Sequence, residues 1–215
     1  MRVPDPPLLI VTDRRQARRP LPDVVAAALK AGCRWISIRE KDLPADEQVL
    51  LARSLISITR RQGAKLTVHG DATLAAAAGA DGVHLPAGSD PAAARALLGR
   101  QKLIGVSIHT MTEAENIDPS SVDYVLAGPA FETASKPGYG PELGRKGLAA
   151  IARATSVPVL AIGGINTARV ADLIAGGAAG VGVMGSVMRS ADPERETSAL
   201  VSTLIGSLAI RGRDT

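Results

Sequence analysis

Histidines near the ends of short aliphatic runs are the first candidates for chemistry. His69 follows one run, His84 lies inside another, and His109 closes a third that also carries Ser107. An imidazole gains or loses a proton near pH 6.5, so it is the natural general acid or base at physiological pH. His109, just past its run, is the best-placed base, with a substrate hydrogen bond as its other reading. His84, within its run, reads as a packed, hydrogen-bonded core histidine. Arg39 and Lys41 follow the run Trp35 to Ile38. If extended geometry continues past Ile38, the two cations share a side and can clamp an anion or a carboxylate. A salt-bridge cluster with Glu40 and Asp42 is the competing reading. Gly163-Gly164-Ile165-Asn166 and Gly185-Ser186 follow the last two runs. Glycines there let backbone N–H groups approach a phosphate closely. The segment from Gly128 to Gly140 is polar and glycine-rich, and holds Thr133, Ser135 and Lys136. It reads as an active-site lid carrying an anion-binding set.

Metal binding is not expected. The histidines lack close ligand spacing. Asp13, Asp71 and Asp90 are the carboxylates near strand ends that a Mg²⁺ site would want, with Asp13, after the first run, the first candidate for a pocket. Asp71 and Asp90 equally suit helix N-caps.

These residues need a frame that gathers strand ends. Aliphatic or β-branched runs recur at 8–12, 35–38, 66–68, 81–85, 103–108, 123–127, 158–163 and 180–184. Helix-like stretches separate several of them, at 23–30, 46–61, 73–78, 91–98 and 167–174, with a closing helix at 195–210. Most end at glycine, which suits the left-handed position past a helix. Strand and helix alternation indicates parallel βαβ units, and eight of them predict a closed (β/α)8 TIM barrel spanning 1–215 as one domain. An open dinucleotide-binding sheet is disfavoured because no G-x-G-x-x-G follows the first run. In such a barrel the C-terminal strand ends hold the site, and phosphate commonly sits after strands seven and eight.

Composition narrows the class. The chain has 215 residues, 46% of them hydrophobic but only 2% aromatic, with a net charge of +4. So few aromatic rings, and no recognisable module, argue against nucleic-acid binding. No stretch approaches the roughly 20 apolar residues that span a bilayer. The start, MRVPDPPLLIV, is too short and proline-rich for a signal peptide, so a cytoplasmic protein is expected. Cys33 is the single cysteine; it reads as buried and inert. A homodimer is compatible with the sequence, which does not specify an oligomeric state.

The motifs at 11–13 (VTD), 38–42 (IREKD), 78–85 (AGADGVHL), 104–110 (IGVSIHT), 123–136 (DYVLAGPAFETASK) and 161–166 (AIGGIN) resemble the thiamin phosphate synthase and thiazole tautomerase superfamily along nearly the whole chain. The resemblance implies a methylthiazole substrate with a hydroxyethyl phosphate arm, suited to Gly163, Gly164, Gly185 and Ser186. In the synthase branch this thiazole is joined to a hydroxymethylpyrimidine diphosphate, pyrophosphate leaves, and Mg²⁺ assists. Arg39 and Lys41 match the diphosphate element, with Ser37 in place of its glutamine; Thr133, Ser135 and Lys136 match the loop.

The metal half departs from that pattern. His69-Gly70 stands where synthases have Asn-Asp, and Leu85-Pro86-Ala87-Gly88-Ser89 where they have Leu-Gly-Gln-x-Asp. These departures, with Phe131-Glu132-Thr133, resemble the tautomerase (TenI-like) branch, which aromatises a thiazole carboxylate phosphate without metal or other cofactor. On that reading the protein is an isomerase and His109 moves the proton; His69 departs from the branch's asparagine, and its imidazole suits a second acid or base. Some synthases carry the same histidine as His109, so thiamin phosphate synthase is the alternative. A non-catalytic protein that binds a phosphorylated ligand is a third reading.

Overall fold

Each strand run is short because a barrel strand need only cross one layer, and each is buried because helices cover its outer face. The computed structural model describes residues 3–133 and 140–213. Its strands are β1 (Leu8–Val11), β2 (Trp35–Ile38), β3 (Lys65–His69), β4 (Gly82–Leu85), β5 (Leu103–Ile108), β6 (Tyr124–Ala127), β7 (Val159–Ile162) and β8 (Gly180–Val183). They pair in sequence order, all parallel, and β8 pairs with β1 to close the barrel. The helices are α1 (Leu21–Lys30), α2 (Ala45–Arg61), α3 (Ala72–Ala78), α4 (Pro91–Leu98), α5 (Met111–Glu115), α6 (Gly144–Ala154), α7 (Thr167–Ala175), α8 (Gly185–Met188) and α9 (Pro193–Arg211). The expected TIM barrel is therefore the observed fold. No helix among the described residues is long and apolar enough to cross a membrane.

Strand alternation sorts the core into two layers. Ile10, Ile36, Ile38, Leu66, Val68, Val83, Ile104 and Val125 face the helices in the larger apolar cluster. Leu9, Val11, Trp35, Leu103, Tyr124, Leu126 and Leu160 form the smaller cluster inside the barrel. Trp35 meets Tyr124 edge-on at 4.6 Å. The Tyr124 ring occupies the place a side chain at Gly105 would take. Two of the chain's few aromatic residues thus plug the barrel beneath its mouth.

Several boundaries differ from the sequence reading for local reasons. Asp81 and Asp123 precede β4 and β6 rather than joining them. Their carboxylates accept hydrogen bonds from Leu66 N (2.9 Å) and Ile104 N (2.8 Å) on the preceding strands. The sequence reading did not anticipate α5 or α6. A capping box of Thr110 and Glu113 starts α5. α6 contains Gly144 and Gly147, poor helix formers, and is held by burial of Leu148 and Ile151. Cys33 is buried as expected, and desolvation pushes its thiol up to about 12.

Candidate functional site

The mouth of the barrel holds two adjoining cavities that share Thr133, Gly163 and Met184. The central one is lined by Asp13, Arg39, His69, Ser107 and His109 over an apolar floor of Val11, Leu126 and Ile162. The second lies at the ends of β7 and β8, between Gly164, Asn166, Gly185, Ser186 and Arg189. The barrel therefore gathers residues from strand ends that are far apart in sequence, as predicted. Ser135 and Lys136 lie outside the described residues. Lys41 is exposed and lines neither cavity. Burial and then the Arg39 charge pull its pKa down, so it sits within the field of that cation.

Arg39 is positioned by a buried polar lock. Its backbone N–H donates to Thr12 Oγ1 at 2.9 Å, and that hydroxyl donates to Glu40 Oε1 at 2.7 Å. Glu40 is 2% exposed. It also accepts from the Arg14 backbone N–H and guanidinium. Arg14 goes on to pair with Asp42 at 2.7 Å. The salt-bridge reading and the anion-clamp reading are thus divided between alternate residues. Glu40 and Asp42 turn to Arg14, while Arg39 faces the cavity.

His109 is held at two points. Its backbone N–H donates to Glu113 Oε2 at 2.6 Å, and its Nδ1 lies 2.5 Å from the Gly128 carbonyl. A carbonyl can only accept, so Nδ1 carries hydrogen and neutral imidazole presents Nε2 as an acceptor. Burial works to raise the Glu113 pKa, but hydrogen bonds from His109 and Thr110 outweigh it and hold the carboxyl below its usual range.

His84 is the core histidine anticipated from its place in β4. Its ring bonds Ser107 Oγ (2.9 Å) on the cavity side and Tyr124 OH (3.2 Å) on the barrel side. The His69 ring lies beside it at 4.7 Å. Burial, assisted by the Lys41 charge, lowers the His84 pKa from 6.5 to about 3. Between these values the unfolded chain binds a proton that the native state does not. This contribution to stability is complete above pH 6.5 and is lost as pH falls toward 3. Urea unfolding at pH 7.5 and pH 5 is expected to show about 2 kcal/mol lost through this one group. His84→Gln should remove that part of the loss. An equal loss in the variant would assign the pH dependence elsewhere.

The glycines after β7 do two jobs. Gly163 and Gly164 have φ of +102° and +63°. A Cβ on Gly164 would meet Phe131 Cβ at 2.9 Å. They admit the chain after β6 against the chain after β7 while leaving backbone beside the second cavity. Arg169 stacks on Phe131 at 4.3 Å and donates to the Gly164 carbonyl at 2.7 Å, tying the two loops together. Ser186 Oγ is buried with no hydrogen-bond partner among the described residues. A buried hydroxyl without a partner is costly, so a ligand oxygen there would be favourable.

The sequence reading missed Arg189 and Gln16. Arg189 stands four residues after Gly185, and helical side chains lean toward the N-terminus over the preceding turn. A glycine with an arginine one turn later was the available signal.

Metal ligands are sparse. Asp71 accepts from Thr73 N, and Asp90 from Ala92 N and Ala93 N, so both cap helices as the sequence allowed. Asp13 lines the cavity but bonds Arg15 N and Gln16 Nε2. No group of three His, Cys, Asp or Glu side chains among the described residues is arranged to hold a metal ion.

Comparison with known proteins bears on the chemistry. Residues 8–187 match the family model described as thiamine monophosphate synthase. A thiamine-phosphate synthase of Roseiflexus sp. (strain RS-1) is 41% identical over 206 residues, covering 95% of this chain and 87% of that protein. One from Moorella thermoacetica is 40% identical over 185 residues, covering 86% of this chain and 88% of that protein. The structure of thiamine phosphate pyrophosphorylase from Pyrococcus furiosus superposes with a TM-score of 0.84 at 30% identity, covering 94% of this chain and 96% of that one. These likenesses overturn the tautomerase and isomerase reading and favour its alternative, a transferase. That reading weighed a few strand-end positions, His69 and Leu85 to Gly88, against a likeness that runs the length of the barrel. The physical basis it took from His109 does not discriminate either. A ring pinned through Nδ1 to Gly128 is as well placed to orient a substrate as to move a proton.

Proposed function

Because the chain belongs to the thiamine monophosphate synthase family, we propose that it is a thiamine-phosphate synthase, joining a thiazole monophosphate to a pyrimidine methyl diphosphate. The carrying observation is the two-ended mouth. Gly164, Gly185 and the buried Ser186 hydroxyl line one cavity, and Arg39 lines the adjoining one over an apolar floor. The monophosphate arm takes the glycine end, and the diphosphate faces Arg39. The ring nitrogen of the thiazole attacks the activated methylene carbon. The new C–N bond replaces the C–O bond to the diphosphate, which leaves as pyrophosphate with the bonding pair. Negative charge grows on the leaving oxygen, where the guanidinium of Arg39 opposes it most strongly because little water intervenes. Lys41, whose charge couples to that of Arg39, adds to the positive field there. Ser107, held by His84, and His109, held by Gly128 and Glu113, orient the rings between the anions. Thr133 borders both cavities.

The synthase resemblance also implies Mg²⁺, and the donors among the described residues do not fit a protein-held site for it. Mg²⁺ favours carboxylate oxygens in octahedral geometry. Here β3 ends in His69, and β4 ends in Leu85 with Pro86 following it. Asp71 and Asp90 are engaged as helix caps. No step of the proposed reaction is therefore assigned to a metal bound by these residues.

The direct test supplies both precursors to the purified chain in Mg²⁺-containing buffer. Thiamin phosphate is measured by conversion to its fluorescent oxidation product, and pyrophosphate by a coupled assay. Equimolar appearance of both supports the proposal. No thiamin phosphate at any Mg²⁺ concentration, under conditions where both precursors bind, would exclude it.

A further inference from the structure

We propose that Arg189 is the phosphate-recognising side chain of the β7–β8 cavity and that Gln16 and Asp13 hold it in position. This rests on the reading that the cavity receives a phosphorylated ligand. Backbone N–H groups and one hydroxyl can bind phosphate, but they bring no full positive charge. Arg189 brings one. It lines the same cavity as Gly185 and Ser186. A Cβ added at Gly185 would fall on its guanidinium group, which therefore lies directly over the start of α8. The absence of a side chain at 185 is what gives the guanidinium room.

Its orientation comes from across the closure of the barrel. Arg189 Nη1 donates to Gln16 Oε1. Gln16 Nε2 in turn donates to Asp13 Oδ2 at 2.6 Å. An amide has one accepting and one donating end. The Asp13 carboxylate can bond only the NH₂ end, which forces the oxygen of Gln16 toward the guanidinium. This chain of bonds links the segment after β1 to the segment after β8. It holds a charged, planar donor group beside the glycine backbone, a chemistry suited to phosphate oxygens. Arg189 is then a specificity residue for the monophosphate, and Gln16 a positioning residue that acts through it.

The test compares Arg189→Gln, Arg189→Lys and Gln16→Ala with the unsubstituted chain, with thermal melts verifying the fold. The first readout is affinity for inorganic phosphate by titration calorimetry, which does not depend on turnover. Loss of charge-assisted hydrogen bonds predicts about tenfold weaker phosphate binding in Arg189→Gln. Arg189→Lys should retain part of the affinity, and Gln16→Ala should fall between that of Arg189→Gln and the unsubstituted chain. The second readout is the KM for each phosphorylated precursor. A selective rise for the thiazole monophosphate, with kcat and the diphosphate KM nearly unchanged, supports the assignment. Unchanged phosphate affinity in Arg189→Gln overturns it, as does an equal rise in both KM values. Should the chain form no thiamin phosphate yet show the tenfold loss, the synthase reading fails and the role of Arg189 stands. Should Arg189→Gln not fold, Arg189→Lys with unchanged phosphate affinity overturns the assignment.

Discussion

Arg39→Ala is expected to lower kcat/KM for the pyrimidine diphosphate about a hundredfold, while the KM for the thiazole monophosphate changes less than about threefold. The size follows from the roughly 1.5–3 kcal/mol that a hydrogen bond to a charged group contributes, since 1.4 kcal/mol is a factor of ten. The asymmetry follows from position. Arg39 stands at the end of β2 in the central cavity, whereas Gly164 and Ser186 line the second cavity. Charge grows on the diphosphate as the C–O bond breaks, so much of the loss should fall on kcat rather than on binding. Arg39→Lys should recover part of it, because a point charge replaces a planar fork. The backbone of residue 39 is held by Thr12 and Glu40 independently of its side chain, so stability should be little affected. Steady-state kinetics with each substrate varied in turn provides the check. Equal losses for both substrates would place Arg39 in a general field rather than at the diphosphate.

Gly105→Ala is expected to destabilise the fold by about 3 kcal/mol, at the upper end of what overpacking usually costs. The new methyl would meet the Tyr124 ring. That ring has little freedom to move. It is fully buried, lies edge-on to Trp35 at 4.6 Å, and its hydroxyl bonds His84 at 3.2 Å. For a chain of this size, a Tm about 6–12 °C lower should follow. Combining the change with Tyr124→Leu should recover part of the loss, because the two side chains compete for one space. An unchanged melting temperature for the single variant would mean that the barrel floor can rearrange. The effect should reach the site as well, since Tyr124, His84 and Ser107 form one hydrogen-bonded row ending in the cavity.

Much of the fold was legible because parallel barrel strands are buried on both faces and read as unbroken aliphatic runs. The runs at 35–38 and 103–108 coincide with β2 and β5. Asp81 and Asp123 looked like strand residues because nothing local says that their carboxylates bond the neighbouring strand. α6 was hidden by Gly144 and Gly147, since burial of Leu148 and Ile151 overrides their poor propensity. At the site, Arg39, His69, Ser107, His109 and the paired glycines were legible because strand ends in this fold face a common mouth. Lys41 lines neither cavity, and because the strand geometry stops at Ile38, alternation does not set its direction. Arg189 and Gln16 were missed because their link runs between the two ends of the chain's strand order. Only closure of β8 against β1 brings them together. The branch of the family was misjudged because the phosphate grip, the cation and the histidine serve either chemistry.

The central claim is that one mouth separates two anions, the monophosphate at the ends of β7 and β8 and the diphosphate at the end of β2. A crystal structure of the chain with thiamin phosphate and pyrophosphate tests this most directly. The proposal predicts the monophosphate against Gly164, Gly185, Ser186 and Arg189, with pyrophosphate beside Arg39 and the joined rings spanning Ser107 and His109. A monophosphate seated against Arg39, or pyrophosphate occupying the glycine end, would contradict it.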